Sequence, residues 1–251
     1  MEKILLKKSF QINNFKEINY NSLWGCKGIF TTIRLSGKTP KLILIENHIK
    51  KLNKDLKYFD INFTLTKNFL NDFLNKYSLI KNYNHLLRIA INKKIISLSL
   101  RKRISPEKIF TAKMINYQRV LPEYKNLQYK KIISLQKNIN LQKEEIIFYN
   151  KKIILEGSTT NIIFAINDKL VIPKQFYYYG ITLTYLMNKF KNIIQKKDIT
   201  ISSISNFTEI ILVGSGKGVV SLSSIEELNW NRSSKKMYNL VNQKYLKLLN
   251  R

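Results

Sequence analysis

Four short apolar runs crowd into residues 145–172, at 145–149, 153–155, 161–166 and 170–172, with turn-forming Asn150 and the 167–169 segment among the breaks between them. Short runs rich in β-branched and aromatic side chains, bounded by turn residues, read as strands. Gaps this small leave no room for the crossover helix that a parallel pair needs. The spacing therefore predicts a meander of strands.

The first hundred residues add helices to that picture. Residues 28–35 (GIFTTIRL) and 41–45 (KLILI) flank Ser36, Gly37, Lys38, Thr39 and Pro40, a turn composition that predicts a hairpin. Apolar residues then recur at helical spacing, first at Ile49, Leu52, Leu56 and Phe59, and again at Phe69, Phe73, Leu74 and Tyr77. Residues 86–91 and 95–100 read as strands joined tightly through Asn92, Lys93 and Lys94. Residues 101–111 break both periodicities and contain Pro106, which places a connection there. The expected organisation is an α+β N-terminal domain at 1–104, a connection at 105–112 and a larger domain at 113–251. Within the latter, Leu183, Leu186, Met187, Phe190, Ile193 and Ile194 form an apolar helical stripe beginning just after Gly180. Met237, Leu240, Val241 and Leu248 form another near the end.

Composition narrows the function classes. At 251 residues and 44% hydrophobic, the chain can bury a substantial core. Lys, Asn or Gln interrupts every hydrophobic stretch before it reaches the roughly 18 apolar residues of a membrane span. Met1 to Phe10 lacks the apolar core and cleavage site of a secretory leader, so the expectation is a cytoplasmic protein. Cys26 is the single cysteine, and His48 and His85 stand outside any ligand spacing, so no metal is expected. The net charge of +28 invites a nucleic-acid reading. Its lysines, however, are scattered among Asn and Ile along the whole length, with no basic arm or aromatic-basic motif, as a compositional bias would leave them.

A series of motifs goes further. In order they are Gly28-Ile-Phe-Thr-Thr-Ile-Arg34, His48-Ile-Lys-Lys-Leu52, Lys113-Met-Ile-Asn-Tyr117, Glu156-Gly-Ser-Thr-Thr-Asn161, Gly180-Ile-Thr182 and Gly214-Ser-Gly-Lys-Gly-Val219. The glycines of the last motif do not make a nucleotide loop, because the required first glycine is Ile211 and Lys217 is followed by Gly218. Taken together, the series resembles the landmarks of fold-type IV enzymes that use pyridoxal 5′-phosphate (PLP), the family of class IV aminotransferases and aminodeoxychorismate lyases. The resemblance spans roughly residues 20 to 228.

That resemblance implies a small α+β N-terminal domain, a larger C-terminal domain of pseudo-barrel type, PLP in the cleft between them, and a homodimer. It implies that Lys113 carries the cofactor as a Schiff base and moves protons at the substrate carbon, work that an amine does once its lone pair is freed by desolvation or cationic neighbours. Glu156 would face the pyridine nitrogen and keep it protonated, so that the ring accepts electrons. Tyr117 and Asn161 fall among the expected cofactor contacts. Ile181 and Thr182, at a helix start, would turn backbone N–H groups to the phosphate, joined by Ser215 and Gly216. Lys51 stands where the family usually has arginine, keeping the charge without the fork. Leu183 stands where an arginine commonly follows Gly-Ile-Thr.

Thr31 and Arg34 are the substrate-side candidates. Arg88 and the arginines between 101 and 103 are further candidates for binding carboxylates. Phe30-Thr31-Thr32 resembles the form of an aminodeoxychorismate lyase, whereas transaminases often carry an acidic residue at the position of Thr31, and the compact length points the same way. The expected reaction is conversion of 4-amino-4-deoxychorismate to 4-aminobenzoate and pyruvate. An aminotransferase acting on branched-chain or D-amino acids is the alternative, and a basic nucleic-acid-binding protein without catalysis a remote third.

Overall fold

The computed structural model describes residues 4–78 and 80–250. The first three residues of the Met1 to Phe10 stretch, read above as lacking the features of a secretory leader, thus lie outside the described residues. The chain divides into two compact units, one of Met1–Arg103 with Tyr124–Lys131, the other of Ile104–Glu123 with Ile132–Arg251.

The first unit holds β1 (Ile4–Gln11), β2 (Glu17–Ile18), β3 (Ile29–Gly37), β4 (Lys41–Leu42), α1 (Ile45–Tyr58), α2 (Lys67–Tyr77), β5 (Tyr83–Ile91) and β6 (Ile95–Lys102). Its sheet has the order β2-β1-β6-β5-β3-β4, antiparallel throughout. The expected 28–45 hairpin is present only as two cross-strand pairs, Leu35 with Leu42 and Ser36 with Lys41. The main partner of β3 is β5, paired from Ile29–Ile91 to Gly37–Tyr83. Leu44 takes a left-handed conformation that ends the strand, and Ile45 starts the buried face of α1 with His48, Leu52 and Leu56. The helix thus takes the apolar residues that the hairpin reading gave to a strand. The tight 92–94 turn is as the sequence suggests: Asn92 Oδ1 accepts from the Lys94 and Ile95 amides at 2.9 and 2.7 Å.

Alternation divides this sheet into two faces. Ile33, Leu35, Leu87, Ile89 and Leu98 share a core with the apolar faces of α1 and α2. Residues one step out of phase, Thr32 and Arg34 on β3 and their partners Arg88 and Leu86 on β5, turn the other way. Strand β1, lysine-rich and unread in the sequence, pairs along nearly the whole of β6.

The second unit contains β7 (Thr111–Asn116), α3 (Lys130–Gln136, within which the division between units falls), β8 (Glu144–Asn150), β9 (Ile153–Gly157), β10 (Asn161–Ile166), β11 (Lys169–Pro173), α4 (Ile181–Lys189), β12 (Ile194–Lys197), β13 (Glu209–Gly214), β14 (Gly218–Ser221), β15 (Ser224–Ile225), β16 (Trp230–Asn231) and α5 (Lys236–Leu249). Two five-stranded sheets result, ordered β16-β15-β7-β8-β9 and β12-β11-β10-β13-β14. Ala112, Ile147 and Ile154 of the first meet Ile162, Phe164 and Leu212 of the second in one core. The outer face of the second sheet, through Ile163, Ile211 and Val213, packs against Leu183 and Leu186 of α4 and Met237 and Val241 of α5.

The predicted meander is therefore two hairpins in two different sheets. Strands β8 and β9 pair in one, β10 and β11 in the other, and the chain changes sheet across residues 157–160. Glu145, with no solvent exposure, fixes that switch by accepting the hydroxyls of Ser158, Thr159 and Thr160 at 2.6, 2.6 and 3.1 Å. Lys217 lies 3.8 Å from the same carboxylate and donates to the Leu141 and Glu144 carbonyls. Burial pulls its ammonium below the usual range, and Glu145 opposes that pull. Among the described residues no helix is long and apolar enough to cross a membrane.

The sheet switch accepts glycine alone at 157. A Cβ there would lie 2.2 Å from Thr160 Oγ1, a hydroxyl already committed to Glu145. Gly157→Ala is expected to cost about 1–3 kcal/mol of stability, the range for overpacking a filled site, measured as a lower urea midpoint at unchanged slope.

Candidate active site

Lys113 sits in the middle of β7 between Ala112 and Met114, which both pack toward the shared core. Alternation then turns Lys113 to the opposite face of the sheet, where its side chain is half-exposed and its Nζ lies 3.3 Å from Glu144 Oε1. The Glu144 carboxyl is held below its usual range, first by the Asn140 amide and then by Lys113. Register carries the same face across two more strands: Ile115 pairs with Phe148, and Phe148 with Glu156. Lys113 and Glu156 thus share one face, and Tyr117 lays its ring edge-on to Phe148 at 5.1 Å. Burial raises the Tyr117 phenol; Arg119 acts against that rise and Glu156 with it.

Glu156 is buried, and its partner was not legible in the sequence. Arg119 Nε donates to Oε1 at 2.6 Å and Nη2 to Oε2 at 3.0 Å, a two-pronged pair in which both side chains are almost fully enclosed. The Tyr178 amide adds a bond to Oε2 at 3.1 Å. No spacing rule marks an arginine in the loop after β7. Glu145 had a weak signal, as an acidic residue opening an apolar strand.

Asn161 spends its amide on backbone: Nδ2 donates to the Tyr178 carbonyl at 2.6 Å, and Oδ1 accepts from the Gly180 amide at 3.1 Å. A Cβ on Gly180 would meet that Oδ1 at 2.4 Å. Asn161 and Gly180 together therefore fix where α4 begins. The N-cap Gly180 supplies no side-chain bond, so the first-turn amides of Ile181 and Thr182 lack a side-chain cap and the helix dipole adds positive potential there. Thr182 is buried, with its hydroxyl 3.5 Å from that of Ser215. Ser215 and Gly216 lie in the turn between β13 and β14, closed by the Gly214–Gly218 pair.

The second unit alone thus brings together an amine, a charge-paired carboxylate on the same sheet face, and a helix start with two hydroxyls. This donor set fits PLP, which needs an amine for its aldehyde, an acid partner for its ring nitrogen and N–H and O–H donors for its phosphate.

The remaining candidates belong to the first unit. Thr31 lies on the helix-facing side of β3, its hydroxyl 2.7 Å from His48 Nδ1. Burial, helped by Lys125, lowers the His48 pKa to about 3, so this imidazole is neutral. Arg34 lies on the opposite face, with Arg88. The Arg88 guanidinium stacks 3.6 Å over Trp24 and donates to the Ser22 carbonyl, and burial lowers its pKa to about 10. Lys51 is half-buried on α1, where its charge opposes the rise that burial imposes on the Asp55 carboxyl. Among the described residues no cluster of metal-ligating side chains occurs.

Solved structures with this fold are numerous. A candidate 4-amino-4-deoxychorismate lyase from Legionella pneumophila is 20% identical, with a TM-score of 0.70 over 86% of this chain and 91% of that one. A branched-chain amino acid aminotransferase from T.th., complexed with N-(5′-phosphopyridoxyl)-L-glutamate, is 13% identical with a TM-score of 0.79, covering 99% of this chain and 96% of that one. The branched-chain aminotransferase of Thermoproteus uzoniensis with norvaline is 15% identical with a TM-score of 0.78, at 99% and 96% coverage. No curated protein matches the chain in sequence. The profile described as amino-transferase class IV matches residues 28–225, which take in the lysine, the glutamate and the helix start. With that match over most of its length and the fold to go with it, the chain belongs to the class IV aminotransferase family of PLP-dependent enzymes.

Proposed function

We propose that the chain is a lyase that converts 4-amino-4-deoxychorismate to 4-aminobenzoate and pyruvate. The observation that carries this reading is Thr31. Where transaminases of the family often carry an acid, this chain has a buried threonine whose hydroxyl is bound to His48. When bound, the cofactor supplies an aldehyde for the substrate amine and an electron sink for the carbon that bears it. Lys113 Nζ would hold the cofactor. It then takes the proton from the amine-bearing ring carbon while the bond from the ring to the enolpyruvyl oxygen breaks. That proton balances the departing pyruvate, and the ring becomes aromatic.

Glu156 keeps a proton at the ring nitrogen. The amides of Ile181, Thr182 and Gly216 and the hydroxyls of Thr182 and Ser215 take the phosphate, with the Tyr117 hydroxyl as a further cofactor contact. Asn161 acts by fixing the start of α4. On the family resemblance, Lys51 adds charge for the phosphate and the enzyme works as a homodimer; Arg34 and the arginines at 101 and 103 are the candidates for substrate carboxylates, and composition suggests a cytoplasmic protein. An aminotransferase acting on branched-chain or D-amino acids is the second reading, favoured by the near-complete overlap with two branched-chain enzymes. It would use Lys113 and Glu156 in the same roles.

Borohydride reduction of the protein with its cofactor, followed by peptide mapping, is expected to place the adduct on Lys113. Lys113→Arg is expected to lose roughly 10²–10⁴-fold in turnover, the range for a general acid–base group. An adduct on another lysine refutes the assignment.

Lys51→Ala is expected to weaken cofactor retention and to make what remains more sensitive to salt, because a point charge has been removed. Equal cofactor affinity in the variant would remove Lys51 from the phosphate set.

Supplied with aminodeoxychorismate and no keto acid, the enzyme is expected to release 4-aminobenzoate over many turnovers. A panel of L- and D-amino acids with 2-oxoglutarate is expected to give none. The reverse pattern assigns the chain to the aminotransferases.

A further inference from the structure

We propose that Arg119 is a positioning residue that sets the charge Glu156 presents to the cofactor ring. The inference rests on the reading of Glu156 as the carboxylate facing the ring nitrogen. Both oxygens of Glu156 lie on the Arg119 fork, at 2.6 and 3.0 Å, and Arg119 Nη2 is itself held at 2.8 Å by the Pro122 carbonyl. The Tyr178 amide holds Oε2 from a third segment. The side chains of the pair are only 3% and 6% exposed, so solvent screens their interaction little.

Two consequences follow from this geometry. A planar guanidinium gripping both oxygens fixes the plane of the carboxylate, which a single donor would leave free to turn. Its positive charge also opposes a second positive charge on the far side of the same carboxylate. A protonated ring nitrogen facing Glu156 therefore feels the carboxylate less Arg119, rather than the carboxylate alone. Arg119 neutralises Glu156 whether or not cofactor is bound, and in exchange weakens the hold of Glu156 on the ring proton.

The test is ¹⁵N NMR of PLP labelled at the ring nitrogen and bound to the enzyme, followed against pH. It reads protonation directly and does not depend on turnover. With Arg119→Gln the ring nitrogen is expected to lose its proton at least about one pH unit higher than in the unaltered enzyme, a tenfold change in proton affinity. Arg119→Lys, which restores the charge, is expected to return most of that difference. The apo form of Arg119→Gln is expected to melt lower and to gain more from added PLP, because the cofactor then supplies the missing positive partner.

An unchanged titration in Arg119→Gln overturns the proposal. Glu156→Gln separates this from failure of the underlying reading. If it too leaves the ring nitrogen unmoved, Glu156 does not face the ring. If it moves the titration while Arg119→Gln does not, only the role of Arg119 falls. Should Arg119→Gln fail to fold, Glu156→Gln is compared with Glu156→Gln/Arg119→Gln, in which no buried anion is left alone. The double variant is again expected to titrate at least about one pH unit higher, and equal titrations overturn the proposal.

Discussion

A fully buried carboxylate at a change of direction governs the second unit. Glu145, the second residue of β8, lies on the core side, where a charge is tolerated only when hydrogen bonds and an opposite charge surround it. It finds them in the three consecutive hydroxyls of Ser158, Thr159 and Thr160 and in the ammonium of Lys217. Those hydroxyls form the span over which the chain leaves one sheet for the other, with Glu156 just before it and Asn161 just after it. Lys217 belongs to the turn that carries Ser215 and Gly216. One buried anion thus ties together the two loops from which most of the proposed cofactor contacts come.

A second layer of fixed geometry lies on top of the first. Asn161 binds both ends of the 178–180 segment and so determines where α4 begins, and Tyr178 returns an amide to Glu156. The start of α4 and the Glu156 carboxylate, proposed to hold the phosphate and to face the ring, are therefore not independent. Moving either strains a bond network shared through Tyr178. Such coupling suits a ligand that must be held at its two ends at once, since positioning contributes to rate only when the reacting atoms stay aligned.

Much of this was legible in the sequence, for a physical reason. Lys113, Glu156, Asn161 and Gly180 stood out through motifs that resemble the family's landmarks, and of these Asn161 and Gly180 also meet a local backbone demand at the start of α4. The fold class followed from periodicity. Pairing between distant segments left less trace. Strand β1 was hidden because its lysines obscure the alternation, while β4 was overread because Ile43 and Ile45 suit a strand as well as a helix start. The change of sheet at 157–160 could not be told from a plain hairpin, since both need the same short turn. Thr31 and Arg34 differ by an odd number of residues on one strand, which puts them on opposite faces; its hydrogen bond to His48 turns Thr31 to the helix side. Arg119 left no signal at all, because a loop arginine looks the same whether it meets solvent or a buried glutamate.

That last point extends to the charge of the whole chain. A surface lysine contributes little and can be placed almost anywhere, so 44 basic residues carry little positional information. The 16 acidic residues are in a different situation. A buried carboxylate is stabilised where N–H and O–H groups converge, and three of the four buried acids among the described residues, Glu145, Glu156 and Glu209, stand at such points, Asp55 of α1 being the fourth. Glu209 accepts the Met237 and Tyr238 amides at 2.8 and 2.7 Å and the Ser234 hydroxyl at 2.9 Å, supplying the start of α5 with the cap that its own N-terminal residue does not provide. Each of the three stands where the chain changes direction or a helix begins. In a sequence this basic, the scarce acids rather than the abundant lysines mark the positions that hold the architecture, and Glu156 is the one whose surroundings also meet a chemical demand.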